Sequence, residues 1–222
     1  VLSFGRGKGW SGGRGGALLL RAGQGHPNEL PAPRLPNELL ALGLAVAQWA
    51  LGRPALYALP ASLPFLGLGR TRYRPPRPAR GMTRVAAELL LRTRARARAE
   101  ADARRVNAEA WTQALGRGWR AALLPAPPPD ARPGFLRFPL RLPEGLAGLA
   151  EPRRALRAGI AAGYPAPIPS LPAVRDRLVR PARRWPGGES LARELVTLPT
   201  HSRLSDRSRE AILELLHRYR RP

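Results

Sequence analysis

Apolar positions along this chain alternate with polar ones in some stretches and recur every third or fourth residue in others. Leu2-Ser3-Phe4 and Ala17-Leu18-Leu19-Leu20 have the short apolar character of strands. The glycines between them, Gly12, Gly13, Gly15 and Gly16, predict a tight return. The polar, proline-rich stretch 23–38 predicts a loop. Two strongly apolar segments, 37–51 and 55–68, predict a helical pair, the first with Asn37 at its N-cap. Residues 70–81 are basic and extended. From Thr83 to Leu115, the spacing of Val85, Leu89, Arg92, Arg96 and Ala99 predicts one long helix capped by Thr83. Its arginines at 92, 94, 96 and 98 read as a solvated face, with Arg98 placed to pair with Asp102.

Beyond a proline-rich linker at 125–133, Phe135 to Leu142 alternates as a strand does. Glu144 to Gly159 predicts a helix that its glycine ends, and 160–172 a Tyr/Pro-rich loop. Ser190 to Glu194 predicts a helical turn, followed by a strand at Leu195 to Leu198. Ser205 and Asp206 open a last helix to Arg218, Ser205 as its N-cap and Asp206 against the positive end of the dipole. The C-terminal half thus reads as a small α+β domain. Val1 is not methionine, and Val1-Leu2-Ser3-Phe4 reads as a strand of another sheet. The expectation is a chain that starts within a larger protein.

Composition changes this picture in three ways. The 222 residues are 44% hydrophobic, enough for a core. The net charge of +23 points first to nucleic acid. However, the arginines are scattered along the chain, no binding module is recognised, and aromatics at 6% leave few stacking platforms, so no specific nucleic-acid partner is expected. The basic surface suits anionic substrates equally well. The absence of cysteine excludes disulfides, thiolate metal sites and cysteine nucleophiles. His26, His201 and His217 lie too far apart for metal-ligand spacing, and no metal is expected. No leader-type pattern is present in these residues, and the expected compartment is cytoplasmic. The apolar stretch 37–68 is broken by Arg53, Pro54, Pro60 and Pro64 before it reaches the length of a membrane span. Helices packed on a domain or lying on a membrane surface fit it better, and membrane contact is the less favoured of the two.

Candidate chemistry rests on one residue. Lys8 is the only lysine among 38 basic residues. Arginine replaces lysine as a charge but not as a nucleophilic amine, because the guanidinium stays protonated. Lys8 is therefore the candidate for covalent chemistry. Ser3, on the strand that feeds it, and the amides of the glycine turn could bind a phosphate.

The ordered series Ser3, Phe4, Lys8, Gly13, Gly15, Gly16 and the apolar strand 17–20 resembles the DegT/DnrJ/StrS family of pyridoxal-phosphate-dependent sugar aminotransferases. In that family a Ser-Phe pair precedes the cofactor-holding lysine and a Gly-x-Gly-Gly turn follows it. Met82 to Ala87, Arg104 to Ala108, Gly159-Ile160, Tyr164 to Pro167 and Leu195 to His201 with Leu204 to Asp206 extend the resemblance downstream. Arg14 stands where the family has an acidic residue, and Arg77 to Gly81 lacks the family's phosphate-reaching Asn.

The resemblance implies an α/β fold of the fold-type-I transferase kind: part of a large-domain sheet plus a C-terminal α+β small domain, without the N-terminal half. Residues 1–22 would end the cofactor-binding domain, 23–81 form a loop and apolar insertion, 82–124 a connecting helix and 125–222 the small domain. The implied cofactor is pyridoxal 5'-phosphate, held by Lys8 with Ser3 at its phosphate. The implied reaction moves an amino group from an amino-acid donor to a keto-sugar, expected to be nucleotide-linked, in polysaccharide or secondary-metabolite sugar biosynthesis. A homodimer is the implied assembly. Two other readings stay open. One is a basic nucleic-acid-binding protein using Arg6, Arg14 and the clusters at 70–80 and 92–105. The other is an inactive remnant, since the family's pyridine-nitrogen Asp and ring-stacking residue precede the lysine.

Overall fold

Thr83 begins the longest element of the chain, the helix Arg84–Leu115. The computed structural model describes residues 1–5, 8–23, 30–51, 78–123, 128–175, 177–179 and 184–219. The chain folds into two compact units, Val1–Arg98 and Ala99–Pro222, and the long helix runs through the division.

In the first unit, β1 (Leu2–Ser3) pairs antiparallel with β2 (Gly16–Ala17). The second strand comes one residue earlier than its leucines predict and stops at Ala17, and Leu18, Leu19 and Leu20 are exposed. Helix α1 spans Leu35–Leu51. Asn37 is not its N-cap: the Arg34 carbonyl already accepts the Asn37 and Glu38 amides at 2.8 and 3.3 Å. Pro36 fits that first turn because it has no N–H to leave unpaired. The segment 55–68 lies outside the described residues. The long helix, α2, receives two caps. Thr83 Oγ1 accepts the Ala86 amide at 3.3 Å, as the sequence predicts. The Glu38 carboxylate of α1 accepts the Arg84 and Val85 amides at 2.8 and 3.3 Å. A carboxylate at this end also opposes the helix dipole favourably.

The second unit is built on an antiparallel sheet of order β3-β5-β4, with β3 at Phe138–Arg141, β4 at Ala161–Ala162 and β5 at Leu195–Leu198. Phe138 pairs with Leu198 and Leu140 with Val196, and all four are buried on one face. The strand expected over Phe135–Leu142 is shorter at its start. Phe135 has φ 37°, which an extended strand cannot hold. The Phe135 and Leu136 carbonyls take side-chain donors, Thr200 and Arg104, instead of a sheet partner.

The helix expected over Glu144–Gly159 divides into a 3₁₀ turn at Gly145–Gly148 and α3 at Pro152–Ala158. Pro152 cannot continue a helix from before it but suits a first turn. Gly159 ends α3 at φ 99°, in the left-handed region, as its position predicts. Short α4 is Pro172–Arg175. Helix α5 spans Pro186–Glu194, four residues earlier than expected, because Pro186 starts it. Helix α6, Asp206–His217, has Ser205 as its N-cap, whose side chain accepts the Ser208 amide at 3.2 Å.

Ile212, Leu215 and Leu216 of α6 join Ala108, Trp111 and Leu115 of α2 in one core with the buried sheet face. The spacing of the α2 trio puts them on a single stripe. Asp102 pairs with Arg105 three residues on, not with Arg98. Either partner sits one turn away, and i,i+3 serves as well as i,i+4.

Candidate functional site

Strands β1 and β2 place Lys8 at the end of a closed loop. The Phe4 amide donates to the Gly15 carbonyl at 2.9 Å, and the Gly12 amide to the Phe4 carbonyl at 3.1 Å. Gly5 and Gly13 form a parallel bridge just inside these bonds. The Ser11 hydroxyl lies 3.2 Å from the Gly5 carbonyl and accepts the Gly13 amide at 3.1 Å, which cross-ties the base of the loop. The Lys8 amide donates to the Gly5 carbonyl at 3.2 Å, and its side chain is exposed. Ser3 is paired to Gly16 on β1, and its hydroxyl lies 3.7 Å from where a Cβ on Gly5 would stand. The loop thus runs Ser3, Gly5, Lys8 along one limb, with both polar side chains exposed.

The other limb is anchored on the start of α2. Trp10 donates from Nε1 to the Leu90 carbonyl at 3.0 Å and meets Phe4 edge-on, ring centroids 5.3 Å apart. A Cβ on Gly12 would stand 2.9 Å from the Ala86 carbonyl oxygen, so only glycine lets the loop lie this close to the helix. Sequence reading singled out the glycines but missed Trp10, Ser11 and Glu38. A tryptophan and a serine amid seven glycines within residues 5–16 were the available signal. A cavity of about 220 Å³ opens behind the hairpin, lined in part by Arg14, Gly15, Asn37, Arg80 and Thr83. Neither Lys8 nor Ser3 lines it.

A phosphorylated aldehyde needs an accessible primary amine, a hydroxyl or amide for the phosphate, and room beside the amine. The residues present fit that chemistry. Lys8 is the one lysine, Ser3 offers a hydroxyl, and nothing lies within 4 Å of where a Cβ on Gly9 would stand.

No family model matches the chain, and no curated protein matches it by sequence. Solved structures do match by fold. A DegT/DnrJ/EryC1/StrS aminotransferase from Brucella abortus matches at a TM-score of 0.52 with 21% identity, over 74% of this chain and 43% of that one. DesV of S. venezuelae, solved with a ketimine intermediate, matches at 0.52 with 22% identity, over 77% and 46%. The PMP form of a Streptococcus pneumoniae protein described as a sugar aminotransferase matches at 0.50 with 21% identity, over 62% and 36%. At these identities the likeness is one of fold. The chain has the α/β architecture of part of a fold-type-I aminotransferase. Within that class its likeness is to the DegT/DnrJ/EryC1/StrS sugar aminotransferases that its sequence resembles. It spans less than half the length of each of these three structures.

Proposed function

We infer that this chain is part of a pyridoxal-phosphate-dependent aminotransferase acting on a keto-sugar, with Lys8 as the residue that holds the cofactor. One observation carries the reading: the sole lysine sits exposed on a loop closed by paired strands, within a fold shared with DegT/StrS aminotransferases. When bound, pyridoxal 5'-phosphate supplies the electron sink that lets an amino group pass between two carbonyl carbons. Lys8 Nζ would hold it, and as a free amine would carry the proton at the substrate carbon. The Ser3 hydroxyl donates to the phosphate. The cross-tied loop base holds the backbone at Phe4 and Gly5, between Ser3 and Lys8.

The same reading assigns 1–22 to the cofactor-binding domain, 23–81 to an apolar insertion, 82–124 to a connecting helix and 125–222 to the small domain. Its acceptor is a nucleotide-linked sugar, to which the arginine-rich surface is complementary; its donor is an amino acid. A cytoplasmic homodimer is the assembly it takes.

The test uses the single lysine. The chain is titrated with pyridoxal 5'-phosphate, reduced with borohydride and mapped by peptide mass. Saturable labelling of Lys8 is expected, lost in Lys8→Arg and weakened about tenfold in Ser3→Ala, the size of one charge-assisted hydrogen bond. Labelling that does not saturate, or that falls equally on the Val1 amine, overturns the assignment.

A further inference from the structure

Two arginines share one cavity with no acid to answer them. The cavity of about 220 Å³ behind the hairpin takes Arg14 from the turn between β1 and β2, and Arg80 from the segment that leads into α2. Both are exposed, and among the described residues neither side chain makes a hydrogen bond or an ion pair. The described residues that line the cavity include no carboxylate. Glu38, next to Asn37, is held by the Arg84 and Val85 amides, and Glu88 pairs with Arg92. Two guanidiniums that stay charged repel each other at close quarters unless an anion joins them.

The backbone holds this lining in place. Gly13 and Gly15, at φ 79° and 93°, make the turn that carries Arg14. A Cβ on Gly15 would stand 3.0 Å from Met82 Cε, so the turn lies close against the residue two after Arg80. The Gly81 amide donates to the Pro31 carbonyl at 2.9 Å, which ties the Arg80 segment to the approach to α1. Two neutral donors complete the lining. Asn37 is half-buried, and among the described residues its side chain makes no hydrogen bond. Thr83 Oγ1 accepts the Ala86 amide, which leaves its O–H free to donate.

We propose that this cavity is a phosphate-binding site, separate from the lysine loop. Its donors come from three stretches of chain and face no competing carboxylate, which selects a small oxyanion of more than one charge. The guanidinium fork matches phosphate oxygens in pairs. Pockets that enclose a drug-sized ligand run to about 300–1,000 Å³, so this one encloses the phosphate group and not the molecule that carries it. The occupant is inorganic phosphate or the phosphate end of a small organic monoester. Neither Lys8 nor Ser3 lines the cavity, so the inference stands apart from the reading of the cofactor.

The full chain is titrated by calorimetry at low salt and about pH 8, where phosphate carries close to two charges. The probes are inorganic phosphate, glycerol 3-phosphate and acetate. Saturable binding of phosphate at one site is expected, with a Kd of about 1 mM or below and acetate at least about tenfold weaker. Glycerol 3-phosphate bound as tightly as phosphate supports the site with an organic monoester as occupant; phosphate bound alone supports it with the free ion. The double variant Arg14→Gln/Arg80→Gln should bind phosphate at least about tenfold more weakly, and Asn37→Ala about threefold. The control Arg94→Gln/Arg96→Gln removes the same charge from α2 and should stay within about twofold of the parent chain. All four arginines are exposed, so far-UV circular dichroism should be unchanged in both double variants. Phosphate binding that does not saturate, that acetate matches, or that falls equally in the two double variants overturns the proposal. The net charge of +23 then attracts anions without a site.

Discussion

A Cβ at Gly12 would stand 2.9 Å from the Ala86 carbonyl and 3.0 Å from Leu90 Cγ. One of those contacts is backbone, which cannot rotate away. Gly12→Ala should therefore lift the lysine loop from α2 and cost about 1–3 kcal/mol, as overpacking does. The urea midpoint reads that loss. An unchanged midpoint would mean that the loop is not seated on the helix as described. This residue shows where sequence reading stops. That glycines near a lone lysine mark a turn is legible in the chain itself. That Gly12 faces a helix more than seventy residues downstream is not, because residue type does not specify a tertiary neighbour. The same holds for Trp10. Its indole finds the Leu90 carbonyl, and nothing local to residue 10 announces that acceptor.

The best-read elements are those whose signals are local. The start of α2 at Thr83, the cap of α6 at Ser205, the end of α3 at Gly159 and strand β5 all come from residues adjacent to the boundary they set. Elements shaped by distant partners escape such signals, as with the start of β3, where Thr200 and Arg104 take the carbonyls. One such distant partnership holds the second unit together. Asn107 Nδ2 donates to the Thr200 and His201 carbonyls at 3.0 and 3.2 Å, and its Oδ1 accepts from Arg209 at 2.9 Å. Trp111 Nε1 donates to the Pro199 carbonyl at 2.8 Å beside it. Asn107→Ala leaves two carbonyls and a guanidinium without this partner and should destabilise the chain by about 2–3 kcal/mol. A calorimetric shift near zero would contradict this.

Glu100, two turns before Asn107, gives the element its pH dependence. Burial pushes its carboxyl upward, but hydrogen bonds from Ser202 and Arg104 outweigh this and hold it below the ordinary value of 4.5. A depressed carboxyl contributes stability above its unfolded value and loses it as pH falls through the folded one. The urea midpoint should therefore drop on acidification below pH 4.5, by less in Glu100→Gln than in the parent chain. An equal drop in both would remove Glu100 from the account.

At the scale of the whole molecule, charge acts against folding. The chain carries +23, and α2 concentrates the problem by placing Arg92 with Arg96 and Arg94 with Arg98 at i,i+4. Each like-charge pair costs about 0.2–0.5 kcal/mol. Opposing this are ion pairs such as Arg92–Glu88 and Arg154–Glu151, which are largely exposed. Exposed pairs contribute about 0–1 kcal/mol each and weaken in salt. Raising salt from 0.1 to 1 M shortens the screening length from about 10 to about 3 Å, which weakens attraction and repulsion together. Repulsion is the larger sum because basic residues outnumber acidic ones 38 to 15. Sodium chloride should therefore raise the urea midpoint. Salt also strengthens apolar burial, so the control is a variant, Arg94→Gln/Arg96→Gln/Arg98→Gln, which keeps the helix because glutamine and arginine have similar propensity. The variant should be more stable than the parent chain at 0.1 M and should gain less from salt. An equal gain in both would assign the salt effect to apolar burial and leave the arginine face of α2 energetically silent.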